Sequence, residues 1–253
     1  MDSQNWRRLW DLHVEILDVI DENPSVKTFL FNFNMAVKPG QFCMVWDGMG
    51  EEVPMSFSYI DKPHGITVKK VGKSTALLHK LRRGEILRVR GPFGNGYPIL
   101  PQNYLIVSGG TGIASVASAA ETIAKIGGKC VFLAGFRTAD DVFFIERLRK
   151  GGITLKICTD DGSLGYKGFV TALAKKIIEK EKFDLCIACG PEPMLKELCK
   201  ITAGKIKTFV SLERHIKCGI GICDACSIYG LRVCMEGPVF DADVLLSKGF
   251  GGD

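Results

Sequence analysis

Four cysteines crowd into one run near the C-terminal end: Cys218, Cys223, Cys226 and Cys234, spaced C-x4-C-x2-C-x7-C within KCGIGICDACSIYGLRVCM, residues 217–235. A run that must bring several thiolates to one centre cannot also be a continuous helix or strand, so it constrains the fold more than any other stretch. The spacing is that of a [2Fe–2S] ligand loop. Gly219 and Gly221 suit such a loop, because glycine reaches the positive φ of a tight curl and lets backbone amides turn toward the sulfurs. The final gap of seven residues is short for a loop of this kind, which makes Cys234 the ligand that the spacing alone supports least. A four-cysteine zinc site is the alternative; such sites usually present two C-x2-C knuckles, and this run has one. The pattern points to electron transfer.

Length and charge agree with a redox protein of more than one domain. A chain of 253 residues with 46% apolar residues can bury a real core. The net charge of +5 is mild. Its lysines, such as Lys125/Lys129 and Lys175/Lys176/Lys180, read as solvated helix faces rather than a nucleic-acid stripe. No apolar stretch reaches the roughly 18 residues that would span a bilayer, and no secretory signal is read before Leu12, so a cytoplasmic place is expected. The other six cysteines, Cys43, Cys130, Cys158, Cys186, Cys189 and Cys199, lie in apolar runs or on helices. A reducing compartment explains them better than disulfides do.

Three segments follow in order, giving a multi-domain fold. Residues 1–100 show six strand-like stretches separated by turns such as Lys38-Pro39-Gly40 and Arg83-Gly84-Glu85; with one helix near Thr75 to Leu81, this predicts a small antiparallel β-barrel. Residues 101–210 alternate buried strands with helices, as in Tyr104-LIVSGG, then Ser115 to Lys125, then Cys130-VFLAGF. That rhythm predicts an α/β doubly wound parallel sheet, which binds ligands beyond the carboxyl ends of its strands. Residues 211–253 hold the cysteine loop as a small C-terminal domain, with a tail, Gly249 to Asp253, expected to fray.

Candidate ligand positions come from the strand ends. Ser108-GGTGIAS follows a strand and opens a helix, so Gly109, Gly110 and Gly112 are candidates to receive a pyrophosphate; a plain tight turn is the alternative, because the spacing is not the full G-x-G-x-x-G. Cys189-GPEPML ends the fourth buried strand of this segment, and Cys189, Gly190 and Pro191 form an edge where the reactive end of a nucleotide should lie. Cys186 and Cys189 are spaced as a metal pair, but on a strand they face opposite sides, roughly 10 Å apart. In the first segment, Ser56 is placed to hydrogen-bond a planar ligand, and Gly72, Ser74 and Thr75 to hold phosphates. A polar strand residue and a capped helix explain the same residues equally well.

Taken together, Cys218-GIGIC-x2-C, Arg232-VCMEGPVF-Asp241, Cys189-GPEPML and Asp161-GSLGYKGFVT resemble the ferredoxin–NADP reductase superfamily. Within it, the chain is most similar to the iron–sulfur electron-transfer subunits of B-type dihydroorotate dehydrogenase. The resemblance implies FAD in the barrel, NAD in the α/β segment, and a [2Fe–2S] cluster on Cys218, Cys223, Cys226 and Cys234. It places Val53, Pro54, Met55 and Ser56 along the flavin, Val68, Lys69 and Lys70 beside it, and Gly72, Ser74 and Thr75 at its pyrophosphate. Gly190 to Met194 would lie near the nicotinamide, with Cys189 close to both rings. Val53 stands where the family commonly has arginine, leaving Lys69 or Lys70 as the substitute. Ser108 and Thr111 also depart from the common pattern, which leaves NADH against NADPH open.

The implied partner is an FMN-containing dihydroorotate dehydrogenase catalytic subunit, in a heterotetramer of two chains each. Ile220 and Ile222 would either face it or shield the cluster. His215 is expected to face solvent, and no acid–base residue is nominated. A reductase subunit of a soluble hydrogenase or a transhydrogenase shares these cofactors, and a non-enzymatic zinc protein is the alternative of another class.

Overall fold

The computed structural model describes residues 12–252; the segment read for a leader lies outside them, as does Asp253. Six strands close into an antiparallel barrel in the order β1-β2-β5-β4-β3-β6: β1 (Leu12–Asn23), β2 (Val26–Phe31), β3 (Phe42–Trp46), β4 (Val53–Tyr59), β5 (His64–Lys69) and β6 (Ile86–Phe93). A short helix, α1 (Lys73–Leu78), interrupts them. Closure leaves no unpaired strand edge. Alternation decides which side chains fill the barrel: Ile66 and Val68 of β5 are fully buried inside, whereas Thr67 and Lys69 point outward and are half-buried.

The next elements are β7 (Asn103–Gly109), α2 (Ile113–Lys125), β8 (Lys129–Phe136), α3 (Ile145–Lys150), β9 (Thr154–Thr159), β10 (Tyr166–Lys167), α4 (Val170–Ile178), β11 (Leu185–Cys189), α5 (Glu192–Thr202) and β12 (Lys207–Ser211). They build a sheet ordered β10-β9-β8-β7-β11-β12 with all neighbours parallel. Apolar clusters cover both faces. The sheet puts Cys186 in one cluster and Cys189 in the other, which rules out a shared ion by the geometry expected of a strand. Strand order reverses between β7 and β11, so the crevice beyond Gly109 and Cys189 is the topological switch point.

The C-terminal segment contributes a hairpin, β13 (Ser227–Ile228) with β14 (Leu231–Arg232), then β15 (Val239–Asp241) and α6 (Ala242–Ser247). β15 adds antiparallel to β12 as the seventh strand of the sheet. Asn95, beyond the barrel, pairs with Pro238 and donates its amide to the Gly237 carbonyl at 2.6 Å. The cysteine segment is thus sewn to both larger units.

The tail corrects an expectation. Its described part, residues 249–252, is folded back: Gly249, at φ +95°, reverses the chain after α6, and the Phe250 amide donates to the Leu245 carbonyl at 3.0 Å. This turn drives Phe250 into the core, fully buried and edge-on to Tyr229. A glycine-rich composition suggested disorder, but one aromatic anchor outweighs it. Among the described residues no helix is long and apolar enough to cross a membrane.

Candidate functional site

Two cavities meet at the switch point. The larger, about 710 Å³, is lined by Gly109, Gly110, Gly190, Pro191 and Met194 at the strand ends, and by Asp160, Phe169 and Thr171 around the Asp161-GSLGYKGFVT stretch. The smaller, about 300 Å³, lies between barrel and sheet, against Pro54, Met55, Ser56, Thr67 and Thr75 on one side and Thr111, Ser115 and Cys189 on the other. Lys69, Thr111 and Glu213 line both. Ile216, two residues before the first cysteine of the loop, lines the smaller one.

The glycines at the crevice are required by space. A Cβ on Gly109 would lie 2.6 Å from the Met194 sulfur, and one on Gly112 would overlap the Cys189 carbonyl. Gly112 therefore lets α2 pack against β11, while Gly109 and Gly110 face the larger cavity. The Cys189 thiol is buried between Ser115 and Ser211, and burial pushes its pKa upward. Tyr97 is buried beside them, its hydroxyl 3.4 Å from Ser115 Oγ and donating to the Ala188 carbonyl at 3.4 Å. Glu213 keeps an exposed surface, yet its carboxyl sits where the cavities join, and loss of water there raises its pKa. Arg214 is held beside it by Glu192 at 2.6 Å.

Not every candidate reaches a cavity. Val68 points into the barrel core, and Lys70 is exposed, its amide donating to the Ser25 carbonyl. Val53 packs on the barrel cluster. Gly72 and Ser74 stay outside the smaller cavity; the Gly72 amide already donates to Thr75 Oγ1 at 2.9 Å, and Ser74 Oγ accepts from the Glu51 amide at 3.1 Å. Reading β5 with its period of two would have picked out Thr67 and Lys69 instead. Asp160 stood one residue before a quoted stretch and was readable; Glu213 and Arg214 carried no local signal.

In the cysteine loop, Gly219 and Gly221 both stand at φ +75°, and Asp224 at +57°. The curl frees amides for the sulfurs: Ile220 N lies 3.4 Å from Cys218 Sγ, Gly221 N 3.2 Å from Cys234 Sγ, and Cys234 N 3.4 Å from Cys226 Sγ. Cys223 hydrogen-bonds Cys218, and Cys234 feels both Cys226 and Cys218. Among the described residues no group of three or more ligating side chains is gathered as a single ion would need. Four cysteines on one curled loop, with backbone amides turned to their sulfurs, are the donor set a [2Fe–2S] cluster takes, so the residues fit that group. Arg232 braces the loop, donating to the Gly221 carbonyl at 3.0 Å.

Comparison with known proteins agrees with this geometry. Residues 213–246 match the iron–sulfur cluster binding domain of dihydroorotate dehydrogenase B, and residues 106–200 match the oxidoreductase NAD-binding domain. The "probable dihydroorotate dehydrogenase B (NAD(+)), electron transfer subunit" of Methanothermobacter thermautotrophicus is 41% identical over 95% of this chain and 91% of its own. That of Methanocella arvoryzae is 43% identical over 93% and 92%. The chain belongs to the electron transfer subunits of dihydroorotate dehydrogenase B.

As a member of that family it is an NAD-linked oxidoreductase subunit, with an iron–sulfur and an NAD-binding domain, and it works with a catalytic subunit. A solved chain of an NADH-dependent reduced ferredoxin–NADP oxidoreductase, described for flavin-based electron bifurcation, superposes with a TM-score of 0.82 at 30% identity, covering 94% of this chain and 92% of that one. A ferredoxin–NADP⁺ reductase from Neisseria gonorrhoeae shares the fold at 16% identity and a TM-score of 0.66, over 79% and 98%.

Proposed function

We propose that the chain passes electrons released by dihydroorotate oxidation at an FMN of the partner subunit to NAD, by way of [2Fe–2S] and FAD. A flavin supplies the one conversion the route needs, since a nicotinamide exchanges two electrons as hydride and a cluster passes one at a time. The adjacency of the sites supports this most directly: the two cavities share Lys69, Thr111 and Glu213 in their walls, and the smaller is lined by Ile216, two residues before Cys218.

In this reading residues 1–100 hold FAD, residues 101–210 hold NAD, and residues 211–253 hold the cluster. Pro54, Met55 and Ser56 line the flavin, and Thr75 stands toward its phosphates. Lys69 supplies the cation that Val53 does not. Gly109 and Gly110 let a pyrophosphate approach the start of α2. Gly190 and Pro191 receive the nicotinamide, and the buried Cys189 thiol separates the two rings from the sheet. Cys218, Cys223, Cys226 and Cys234 hold the irons, and the loop amides favour the charge on their sulfurs. Exposed Ile222 and Met235 beside the loop are the apolar contacts for the partner, in a heterotetramer of two chains each. Ten unpaired cysteines accord with a cytoplasmic setting.

The test is anaerobic purification with counts of iron, acid-labile sulfide and released FAD, followed by capture of the co-purifying subunit. Two irons, two sulfides and one FAD per chain, with an FMN-containing dihydroorotate oxidase bound, are expected. Zinc without flavin would sink the redox reading. The likeness to the ferredoxin–NADP oxidoreductase chain supports a second reading, a transhydrogenase subunit with the same cofactors; a different partner in the capture would favour it.

A further inference from the structure

We infer that Arg90 and Glu52, on the barrel, are a positioning pair for the iron–sulfur centre, holding its first ligand against the barrel and setting its reduction potential. The inference rests on the cysteine loop being the [2Fe–2S] site. Arg90 Nε donates to Glu52 Oε1 at 2.6 Å, and Nη2 donates to the other carboxylate oxygen. The third arm, Nη1, donates to the Cys218 carbonyl at 3.2 Å. The guanidinium also lies 5.6 Å from the Phe93 ring centre, and Phe93 is the side chain that a Cβ on Gly219 would meet at 3.1 Å. Two side chains of β6 thus carry Cys218 and Gly219 between them.

The fork of the guanidinium is what makes this junction possible, since lysine has no planar array to serve a carboxylate and a carbonyl together. The pair is mostly withdrawn from solvent, with side-chain exposures of 17% for Arg90 and 30% for Glu52, so salt screens its field weakly. Reduction adds negative charge to a cluster. A nearby guanidinium favours that step, and a nearby carboxylate opposes it. While both are present their fields largely cancel. Removing either one exposes the other, and removing both restores neutrality. Neither residue belongs to a motif: they are 38 positions apart, and Arg90 is 128 from Cys218.

The experiment is a potentiometric titration of the full chain carrying its cofactors, prepared without oxygen. The cluster is followed by electron paramagnetic resonance, and the flavin absorbance is an internal control. Arg90→Gln is expected to move the reduced-to-oxidised ratio of the cluster about tenfold toward oxidised at fixed poise, about 59 mV for one electron. Glu52→Gln is expected to move it toward reduced, and the double variant to return close to the parent, with the flavin potential unmoved throughout. Should Arg90→Gln shed its iron, Glu52→Gln decides alone: an upward shift supports the pair. An unmoved cluster potential in the retained single variants overturns it, and so does a double variant displaced as far as Arg90→Gln. A parent chain without a cluster would instead overturn the proposed function.

Discussion

The cysteines around the sheet and the first cysteine of the loop sit in environments that treat the same thiol in opposite ways. Around the sheet, burial pushes Cys130 and Cys199 up to about 12 and Cys158 up to about 11. In the loop, burial also acts to raise Cys218, but the amides of Cys223, Ile220 and Ile222 outweigh it and draw the thiol down to about 6. The difference lies in the backbone. Strand and helix amides are already spent on ladder and helical bonds, so a thiol among them finds no free amide to favour its charged form. A curl through positive φ leaves amides unspent, and they turn to sulfur. The low Cys218 thiol is therefore made by the chain around it, whereas burial pushes Cys234 of the same loop up to about 12.

The hardest test of that contrast exchanges one cysteine from each region. Cys226→Ser should remove the cluster outright, measured as iron and sulfide per chain and as loss of visible absorbance. Cys199→Ala should keep both, at a cost of roughly 0.5–3 kcal/mol in a urea melt. Iron lost equally from both variants would erase the distinction between ligand and core.

Next in size is the anchor beneath the loop. Phe250 fills the space between Tyr229 and α5, where Lys196 Nζ lies 5.8 Å from its ring centre. Phe250→Ala should cost about 3–5 kcal/mol and speed the loss of iron to a chelator, while flavin release stays as in the parent. Equal loosening of cluster and flavin would mean that the tail supports the whole fold and has no special tie to the loop.

Gly221→Ala probes the curl itself. The new Cβ would overlap Met235 Cγ at a φ of +75°, adding about 1–2 kcal/mol of left-handed strain to about 1–3 kcal/mol of overpacking. Weaker iron retention with an unchanged barrel and sheet by circular dichroism is expected. The same substitution at Gly204, also at positive φ but in open space, should leave the iron in place.

Much of this was legible in the sequence where the signal was local. The cysteine spacing, the period of two along the barrel strands, and Cys189-GPEPML at a strand end all placed their elements. β12 was missed because Lys207–Ser211 is short and begins with a charged residue. β15 was missed because its partner is fixed only by the return of the chain past Pro238. At the site, alternation separates Thr67 and Lys69 from Val68, yet the resemblance picked out Val68, Lys69 and Lys70 together and left out Thr67. Arg90, Glu52 and Glu213 act across distances in the chain that no window spans.

The smallest effect is the pH dependence that the buried thiols should produce. Their folded pKa values lie above the value of about 8.5 for an unfolded cysteine, so over that interval the unfolded chain binds fewer protons than the folded one. Stability contributed by the neutral buried thiol is then complete below pH about 8.5 and is lost as pH rises toward the folded value, about 12 for Cys199. Burial is the main cause there, with Asp243 adding to it. The urea midpoint should fall between about pH 8.5 and 9.5, and Cys199→Ala should fall less steeply than the parent. Every other titrating group is common to both chains, so the difference in slope isolates one thiol. Parallel slopes would show that the Cys199 environment does not resist ionisation, and the contrast between sheet and loop would then rest on Cys218 alone.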